Sequence, residues 1–519
     1  MATPVSQKQY FLGVNVGTGT TSGTLITRKG TVWKGSIPHS GDLAKRYGLL
    51  EGFFQLGPGA FYAPPLLWVD AFEELLRKLK AEMGEAAMPL IGAVKIAAQQ
   101  HGQFWVDGTF DSVLAGLDPS KPLGEQIEPA LTLEFCPMWM NSATGRECEE
   151  MADALSPTWW ARVTGSVPTR RFPGPQIRRL ARLYPDNYRR TATIGLVNCL
   201  LTSLLAQRTA PIDRGEAFAS NMANLRRRTW SEAALREIAP GLQKLLAPIA
   251  PPDYFVGPVG SYCREHYGFD NTCDVYVGAG DNNASILGSG VVEPGEEVLS
   301  IGTSITRLCV LDKPPKEPNL LAHVMASVTG TYMGMFCMSN GGRSFDEVLR
   351  KLGITLQDFD RLVAETDVRN DGKMLIPFLV HESVPSIPPR WEYIGMDEKD
   401  PASALAVVQG LLANLCLHAN FGGKTTRVIA TGGGSSDAVC QVAADMLGAT
   451  VHHGEKDTVS LGAAIAAAHA FLNAHGEPTT WQDLTGPLCK REGEFKPRPE
   501  HRAFYDQFVR RFGELTQPN

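Results

Sequence analysis

The sequence predicts an α/β protein built as two domains. At 519 residues the chain is longer than one hydrophobic core organises. A pattern of apolar run, Gly-Thr turn and second apolar run occurs twice, as YFLGVNVGTGTTSGTLIT from Tyr10 and as EVLSIGTSITRLCVL over 297–311. Strand-like and helix-like segments alternate around both copies. One copy alone reads as a β-hairpin whose glycine supplies positive φ. Two copies, each opening one half of the chain, predict an internal duplication. Gly and Pro cluster in GSGVVEPGEE, 288–297, so the domains are expected at 9–292 and 293–519.

The remaining elements follow from periodicity. APPLLWVDAFEELLRKLKAEM (63–83) carries Leu, Trp, Phe and Leu at helical spacing. LIGAVKIAAQ (90–99) reads as a buried strand before a loop, and PALTLEF (129–135) as a further strand. In the second half ALAVVQGLLANLCLHANF (404–421) reads as a buried helix. It is followed by the strand of TRVIATGGGSS (426–436), then by a helix and a strand in DAVCQVAADMLGATVHH (437–453).

Composition narrows the function classes. Apolar residues make up 43% and charged residues 20%, as in ordinary globular proteins. The net charge is −6 and no basic block stands out, which argues against a nucleic-acid partner, since phosphate neutralisation needs clustered Lys and Arg. Arg226, Arg227 and Arg228 read as a solvated turn. The ten cysteines show no CxxC pair and no zinc spacing; Cys199, Cys309, Cys337 and Cys416 sit in apolar runs as reduced core residues. The first ten residues lack an apolar signal core, and LGAAIAAAHAFL (461–472) is too short to span a bilayer, so a cytoplasmic protein without membrane contact is expected.

Glycine turns mark where chemistry could sit. A Gly-Thr turn between strands presents successive N–H groups and a hydroxyl, a concavity suited to phosphate; Gly17 and Thr18 form one, Gly302 and Thr303 the other. VIATGGGSSDAV (428–439) follows a strand and opens a helix, which suits a nucleotide. In GAGDNNASILG (278–288), Asp281 stands at a strand end in a Gly-rich loop. It could take a proton from a hydroxyl, as the base of a kinase does, or cap the following helix. QQHGQFW (99–105) gathers Gln100, His101 and Trp105, and CPMWMNSAT (136–144) adds Trp139 and Asn141. Aromatic faces and dense donors of this kind suit a sugar. TRRFPGPQI (169–177) adds Arg170 and Arg171, which also read as an exposed basic loop.

In order, the N-terminal Gly-Thr turn, QQHG, PMWMNSAT, APIDRGEAFASNMANL, GAGDNNAS, SIGTSIT, SNGG and ATGGGS resemble the FGGY family of carbohydrate kinases, most closely its eukaryotic-type D-xylulokinase branch. The resemblance runs from about Tyr10 to about Ala470. It implies two ribonuclease-H-like (actin-like ATPase) domains with a central interdomain cleft, where a ketose and ATP meet. It further implies that Asp281 is the base, that His101, Arg171 and Asn282 bind sugar, and that Trp139 lies beside the sugar. Gly302 and Thr303 fall on phosphate-binding positions, and Gly433, Gly434 and Asp437 on the adenosine-binding turn.

The implied cofactors are ATP and Mg²⁺, held mostly by phosphates, water and one or two carboxylates. Two positions depart from the family pattern. Asn15 stands where the family carries a metal-holding Asp, and Asn141 where it carries the Asp of WMD. The expected metal contacts are Asn15, through water, and Asp281. The expected reaction is ATP-dependent phosphorylation of D-xylulose to D-xylulose 5-phosphate. The alternatives are a kinase for ribulose or sedoheptulose, or a sugar-binding sensor weakened by Asn15 and Asn141. A homodimer stays open as the assembly.

Overall fold

The computed structural model describes residues 4–419 and 421–517, so Asn420, at the end of one expected helical stretch, lies outside the described residues. The first sheet contains β1 (Tyr10–Val16), β2 (Thr20–Ile26), β3 (Thr31–Pro38), β4 (Ile91–Ala98), β5 (Phe255–Pro258), β6 (Asp274–Tyr276) and the short β7 (Ala279–Gly280). The second contains β8 (Glu296–Ile301), β9 (Ile305–Leu311), β10 (His323–Ala326), β11 (Tyr332–Met338), β12 (Arg427–Thr431), β13 (Thr450–Gly454) and β14 (Arg491–Phe495).

The two sheets share one topology. In the first, β1 pairs antiparallel with β2 and parallel with β4, β3 lies outside β2, and β6 runs parallel to β4 with β5 antiparallel at the edge. In the second, β8 pairs antiparallel with β9 and parallel with β12, β11 lies outside β9, and β13 runs parallel to β12 with β14 antiparallel at the edge. The strand β10 is an addition outside β11. Each Gly-Thr turn therefore joins the same two strands of its own sheet. Strands β1, β4, β8 and β12 are buried almost throughout, as expected of strands covered on both faces.

The helices that matter here are α1 (Pro65–Met83), α2 (Pro173–Leu183), α3 (Val197–Ala206), α4 (Arg214–Phe218), α5 (Asp281–Gly288), α6 (Gly342–Leu352), α7 (Ser403–His418), α8 (Asp437–Leu447) and α9 (Val459–Ala474). Helix α1 buries Leu67, Trp68, Phe72, Leu75 and Leu79, the stripe its spacing predicts. Helix α9, late in the chain, packs on the first sheet and on α5 through small residues. A Cβ on Gly13 of β1 would stand 2.0 Å from the Ser460 carbonyl oxygen, and one on Gly462 would stand 1.9 Å from that of Ala284. The two halves are thus tied by backbone-to-backbone packing beneath Asp281.

One expected strand is absent. Residues 128–130 form a 3₁₀ turn, and Leu131 makes a single bridge to Val106. Pro129 has no N–H to give a ladder. The Thr132 carbonyl is taken by the Asn187 side chain rather than by a strand partner. The turn at 225–228 holds the arginine run: Arg226 donates to the Pro315 carbonyl at 2.7 Å, and Arg228 lies 5.6 Å from the Tyr332 ring. Among the described residues the ten cysteines form no disulfide. Among the described residues no helix is long and apolar enough to cross a membrane.

Candidate active site

The site is built around the loop that delivers Asp281. Ala279 and Gly280 pair with Ala97 and Ala98 at the end of β4. The loop is pinned from beneath: Lys95, fully buried in β4, donates to the carbonyls of Val277 at 2.6 Å and Pro252 at 2.7 Å. Asn198 of α3 donates to the Ala279 carbonyl at 2.8 Å. Burial lowers Lys95 to about 8, with Asp213 and Asp253 opposing the change. Gly280 is required by space: a Cβ there would lie 2.2 Å from Glu216 Oε1 and 2.7 Å from Asn283 Oδ1.

Asp281 begins α5, whose N-cap is Gly280 without a side-chain cap bond. Its Oδ1 accepts from the Asn282 backbone N–H at 2.7 Å and from Asn282 Nδ2 at 3.0 Å. Burial pushes its pKa up to about 6, against the pull of N–H groups from Asn282 and Gln100. A carboxylate poised there is ionised at neutral pH yet holds a proton far better than an exposed one.

Of the residues expected to hold a sugar, Gln100 and Asn282 stand beside this carboxylate. Gln100 accepts from Asn282 Nδ2 at 2.9 Å and donates to Asn283 Oδ1 at 2.9 Å. His101 follows with φ of 73°, a left-handed conformation strained for a non-glycine, and its buried Nδ1 has no hydrogen-bond partner. The His101 ring lies 4.6 Å from Phe172, whose ring lies 5.1 Å from His323 of β10. Burial, then His323 and Arg171, lower His101 to about 3; burial, then Arg171, lower His323 to about 4. Both rings are therefore neutral donors and acceptors rather than cations.

Arg171 stacks 5.3 Å from the Trp139 ring, and Trp139 Nε1 donates to Thr18 Oγ1 at 2.7 Å. The first Gly-Thr turn is thereby joined to the loop that carries Trp139. Gln176 of α2 supports that loop, donating to the carbonyls of Arg171 at 3.0 Å, Met138 at 3.3 Å and Asn141 at 3.4 Å. Asn141 is engaged locally: its amide donates to the Phe61 carbonyl at 3.2 Å and accepts from the Ala143 N–H at 3.3 Å. Trp105 turns into the core and gives its N–H to Gln103 at 3.0 Å.

The glycine turns of the second sheet form their own group. Gly302 donates to the Ser304 carbonyl at 3.0 Å, much as Gly17 donates to that of Thr20 at 2.8 Å. Gly342, at the start of α6, donates to the Gly302 carbonyl at 2.7 Å, and Gly434 to that of Ile301 at 2.9 Å. Gly432 has φ of 96°, and a Cβ on it would meet the Ile301 carbonyl oxygen at 2.4 Å. Gly433 borders open space. Arg343 donates to the Thr303 carbonyl at 3.3 Å. Asp437, in the first turn of α8, pairs with His453 at 2.8 Å and is largely exposed.

The halves meet at β10, where Asn283 donates to the Ala326 carbonyl and His323 Nδ1 lies 3.1 Å from Ser166 Oγ. Among the described residues no cluster of three or more His, Cys, Asp or Glu side chains would hold a metal by itself. Asn15, on β1, keeps a buried Oδ1 with no hydrogen-bond partner. An orphaned hard oxygen of this kind fits a metal-bound water or a cation.

Sequence reasoning missed Lys95, Asn198, Gln176, Phe172, His323 and Glu216. Lys95 had a signal, as a lone charge in an otherwise apolar strand run. Glu216 and its neighbour Asp213 lay in a quoted motif without an assigned role; burial and nearby carboxylates push Glu216 well above the carboxylate range, and burial raises Asp213 to about 6. The others owe their place to tertiary packing and carried no local signal.

Comparison with known proteins agrees with this geometry. Residues 129–288 match the model of the FGGY family of carbohydrate kinases, N-terminal domain, and residues 298–471 that of its C-terminal domain. "Xylulose kinase 2" of Arabidopsis thaliana is 29% identical over 516 residues, 94% of this chain and 89% of the relative. "Probable D-xylulose kinase A" of Aspergillus clavatus is 30% identical over 481 residues, 83% of each chain. The crystal structure of xylulose kinase from Rhodospirillum rubrum shares the fold at a TM-score of 0.83, covering 98% of both chains at 19% identity. The two repeated sheets are those of the two-domain ribonuclease-H-like kinase fold, and the chain belongs to the FGGY family of carbohydrate kinases.

Proposed function

We propose that the protein transfers the γ-phosphoryl group of ATP to D-xylulose, giving D-xylulose 5-phosphate and ADP. The single observation that carries this is Asp281, a half-buried carboxylate with pKa pushed up to about 6, at the head of a helix whose Asn282 bonds Gln100 and whose Asn283 bonds Ala326 of the second half. In this reading Asp281 accepts the proton of the sugar hydroxyl as its oxygen attacks the γ-phosphorus, and ADP leaves. His101, Arg171, Asn282 and Gln100 hold the sugar, with Trp139 beside it and Asn141 shaping the loop. The turns at Gly17–Thr18 and Gly302–Thr303 cradle phosphates, and Gly433, Gly434 and Asp437 border the adenosine. Curated relatives named as xylulose kinases support the choice of sugar.

Asn15, through water, and Asp281 would hold Mg²⁺, which would supply neutralisation of phosphate charge. Domain limits of 9–292 and 293–519 and a cytoplasmic location belong to the same proposal. One observation favours a rival: Asn15 brings no charge to the metal, which suits a sugar sensor with little turnover. A coupled ATPase assay over D-xylulose, ribulose and sedoheptulose decides. Turnover highest with D-xylulose is expected, with Asn15→Asp lowering the half-saturating Mg²⁺ concentration. No turnover with any ketose, unrestored by Asn15→Asp, would establish the sensor.

A further inference from the structure

The first Gly-Thr turn stands at the tip of the hairpin β1–β2, with Gly19 and Thr20 exposed and no atom within 4 Å of a Cβ added to Gly19. Glycine leaves the backbone of such a tip free to turn. One side of it is held by His39, the residue after β3, whose side chain is fully buried. The ring Nδ1 lies 3.1 Å from the Thr18 carbonyl oxygen and Nε2 lies 2.8 Å from Thr21 Oγ1. The His39 backbone N–H donates to the Gly19 carbonyl at 2.8 Å. A carbonyl offers no proton, so Nδ1 carries the hydrogen and donates it. Burial lowers His39 to about 4 against the Thr18 bond, which leaves the ring neutral. Nε2 is then an acceptor, and the Thr21 hydroxyl donates to it. Both ring nitrogens are thus spent on the turn and on the strand that leaves it. Gly52 backs His39 closely: a Cβ there would stand 2.6 Å from His39 Cβ.

We propose that His39 is a positioning residue for the nucleotide: by holding the carbonyls of Thr18 and Gly19 on its own side, it turns the Gly19 peptide N–H outward, toward a phosphate oxygen of ATP. In a trans peptide the C=O and N–H point in opposite directions, and the Thr18 C=O and Gly19 N–H belong to one such unit. Fixing that carbonyl on the ring aims the N–H away from it, into the open space around Gly19. Among the described residues the N–H groups of Thr18 and Gly19 give no backbone hydrogen bond, which leaves both to a ligand or to solvent. Successive N–H groups of this kind are what an anion meets in a turn. Trp139 Nε1, donating to Thr18 Oγ1 at 2.7 Å, holds the side chain of the same residue. A hydrocarbon would fill the place of the ring without needing two partners, so the polarity of His39 is used on the turn. His39 touches no reacting atom in this account; it acts through the turn. The inference rests on the reading of Gly17–Thr18 as a phosphate turn given above.

The test is the series His39→Asn, His39→Gln and His39→Leu. It is read by kcat, by KM for ATP and for D-xylulose, and by separate calorimetric titrations with D-xylulose and with the non-hydrolysable β,γ-imido analogue of ATP. An Asn amide reaches the place of Nδ1 and keeps a donor for the Thr18 carbonyl. A Gln amide reaches that of Nε2 and does not, and Leu keeps volume alone. Leu and Gln are expected to weaken the ATP analogue and raise KM for ATP about 10- to 100-fold, the worth of one hydrogen bond to a charged group, with D-xylulose binding little changed. Asn is expected to stay within about threefold of wild type. Should Leu fail to fold, the comparison of Asn with Gln decides alone. Asn as weak as Gln would show that the Thr18 bond does not matter and overturn the inference. Unchanged nucleotide affinity in Leu would overturn it as well, and so would equal losses for sugar and nucleotide, which point to general loosening. Any of these with an active wild type removes this inference alone, whereas a wild type inactive on every ketose removes the function reading. The calorimetric arm needs no turnover and reads the inference in either case.

Discussion

Asp281 gains its proton affinity from where the chain puts it. Burial raises its pKa to about 6, and the N–H groups of Asn282 and Gln100 limit the rise. The direction fixes a pH dependence. Below this value the carboxyl is protonated and cannot accept; above it the carboxylate is available. We therefore expect kcat/KM for sugar to fall about tenfold per pH unit below about 6 and to level off above it. His101, lowered to about 3, stays neutral across that range, so replacing it should change the size of kcat/KM and leave the limb where it is. A pH–rate series on wild type and His101→Ala measures both, and a limb that moves with His101 would assign the titration to the histidine. Sequence alone placed Asp281 in a glycine loop without choosing between base and cap. The choice depends on Lys95, Asn198 and Glu216, residues from far along the chain that hold and surround the loop.

At the scale of elements, glycine sets how closely the pieces approach. The junction of α5 and α9 is backbone against backbone: a Cβ on Gly288 would lie 1.9 Å from the Thr458 carbonyl oxygen, and one on Gly462 would lie 1.9 Å from that of Ala284. Neither neighbour can yield without moving a helix, and α5 carries Asp281 at its first position. Gly462→Ala should destabilise by at least about 1–3 kcal/mol, the usual cost of overpacking. It should also lower turnover, because α5 shifts with its partner. Thermal unfolding and kinetics together check this; an unchanged melting temperature would mean that the helices slide freely. The elements were largely legible in sequence, from helical spacing in α1 and α8 and from a continuous apolar run in β4. The stretch 129–135 misled because its apolar alternation is spent on a turn and a single bridge. That α9 would cross over to the first sheet was not legible, since an Ala-rich helix buried on all sides carries no directional pattern.

Across the whole molecule, the duplicated Gly-Thr turn proved to be the most informative signal, because it marks equivalent strand pairs in two sheets of one topology. The first half supplies the cluster of Gln100, His101, Trp139 and Arg171 and the second the glycine turns bonded to Ile301 and Gly302, and β10 brings His323 and Ala326 against the first. In the proposed reaction catalysis is a property of both halves together, with sugar and nucleotide brought to one carboxylate and water excluded as the halves close. The measurement that tests this most directly is D-xylulose-dependent ATP turnover by wild type and Asp281→Asn, with sugar binding followed in parallel by calorimetry. The account predicts measurable turnover in the wild type, a loss of roughly 10²- to 10⁴-fold in the variant, and sugar binding that remains detectable. Near-full turnover in Asp281→Asn would contradict it and leave Asp281 as no more than the first residue of a helix.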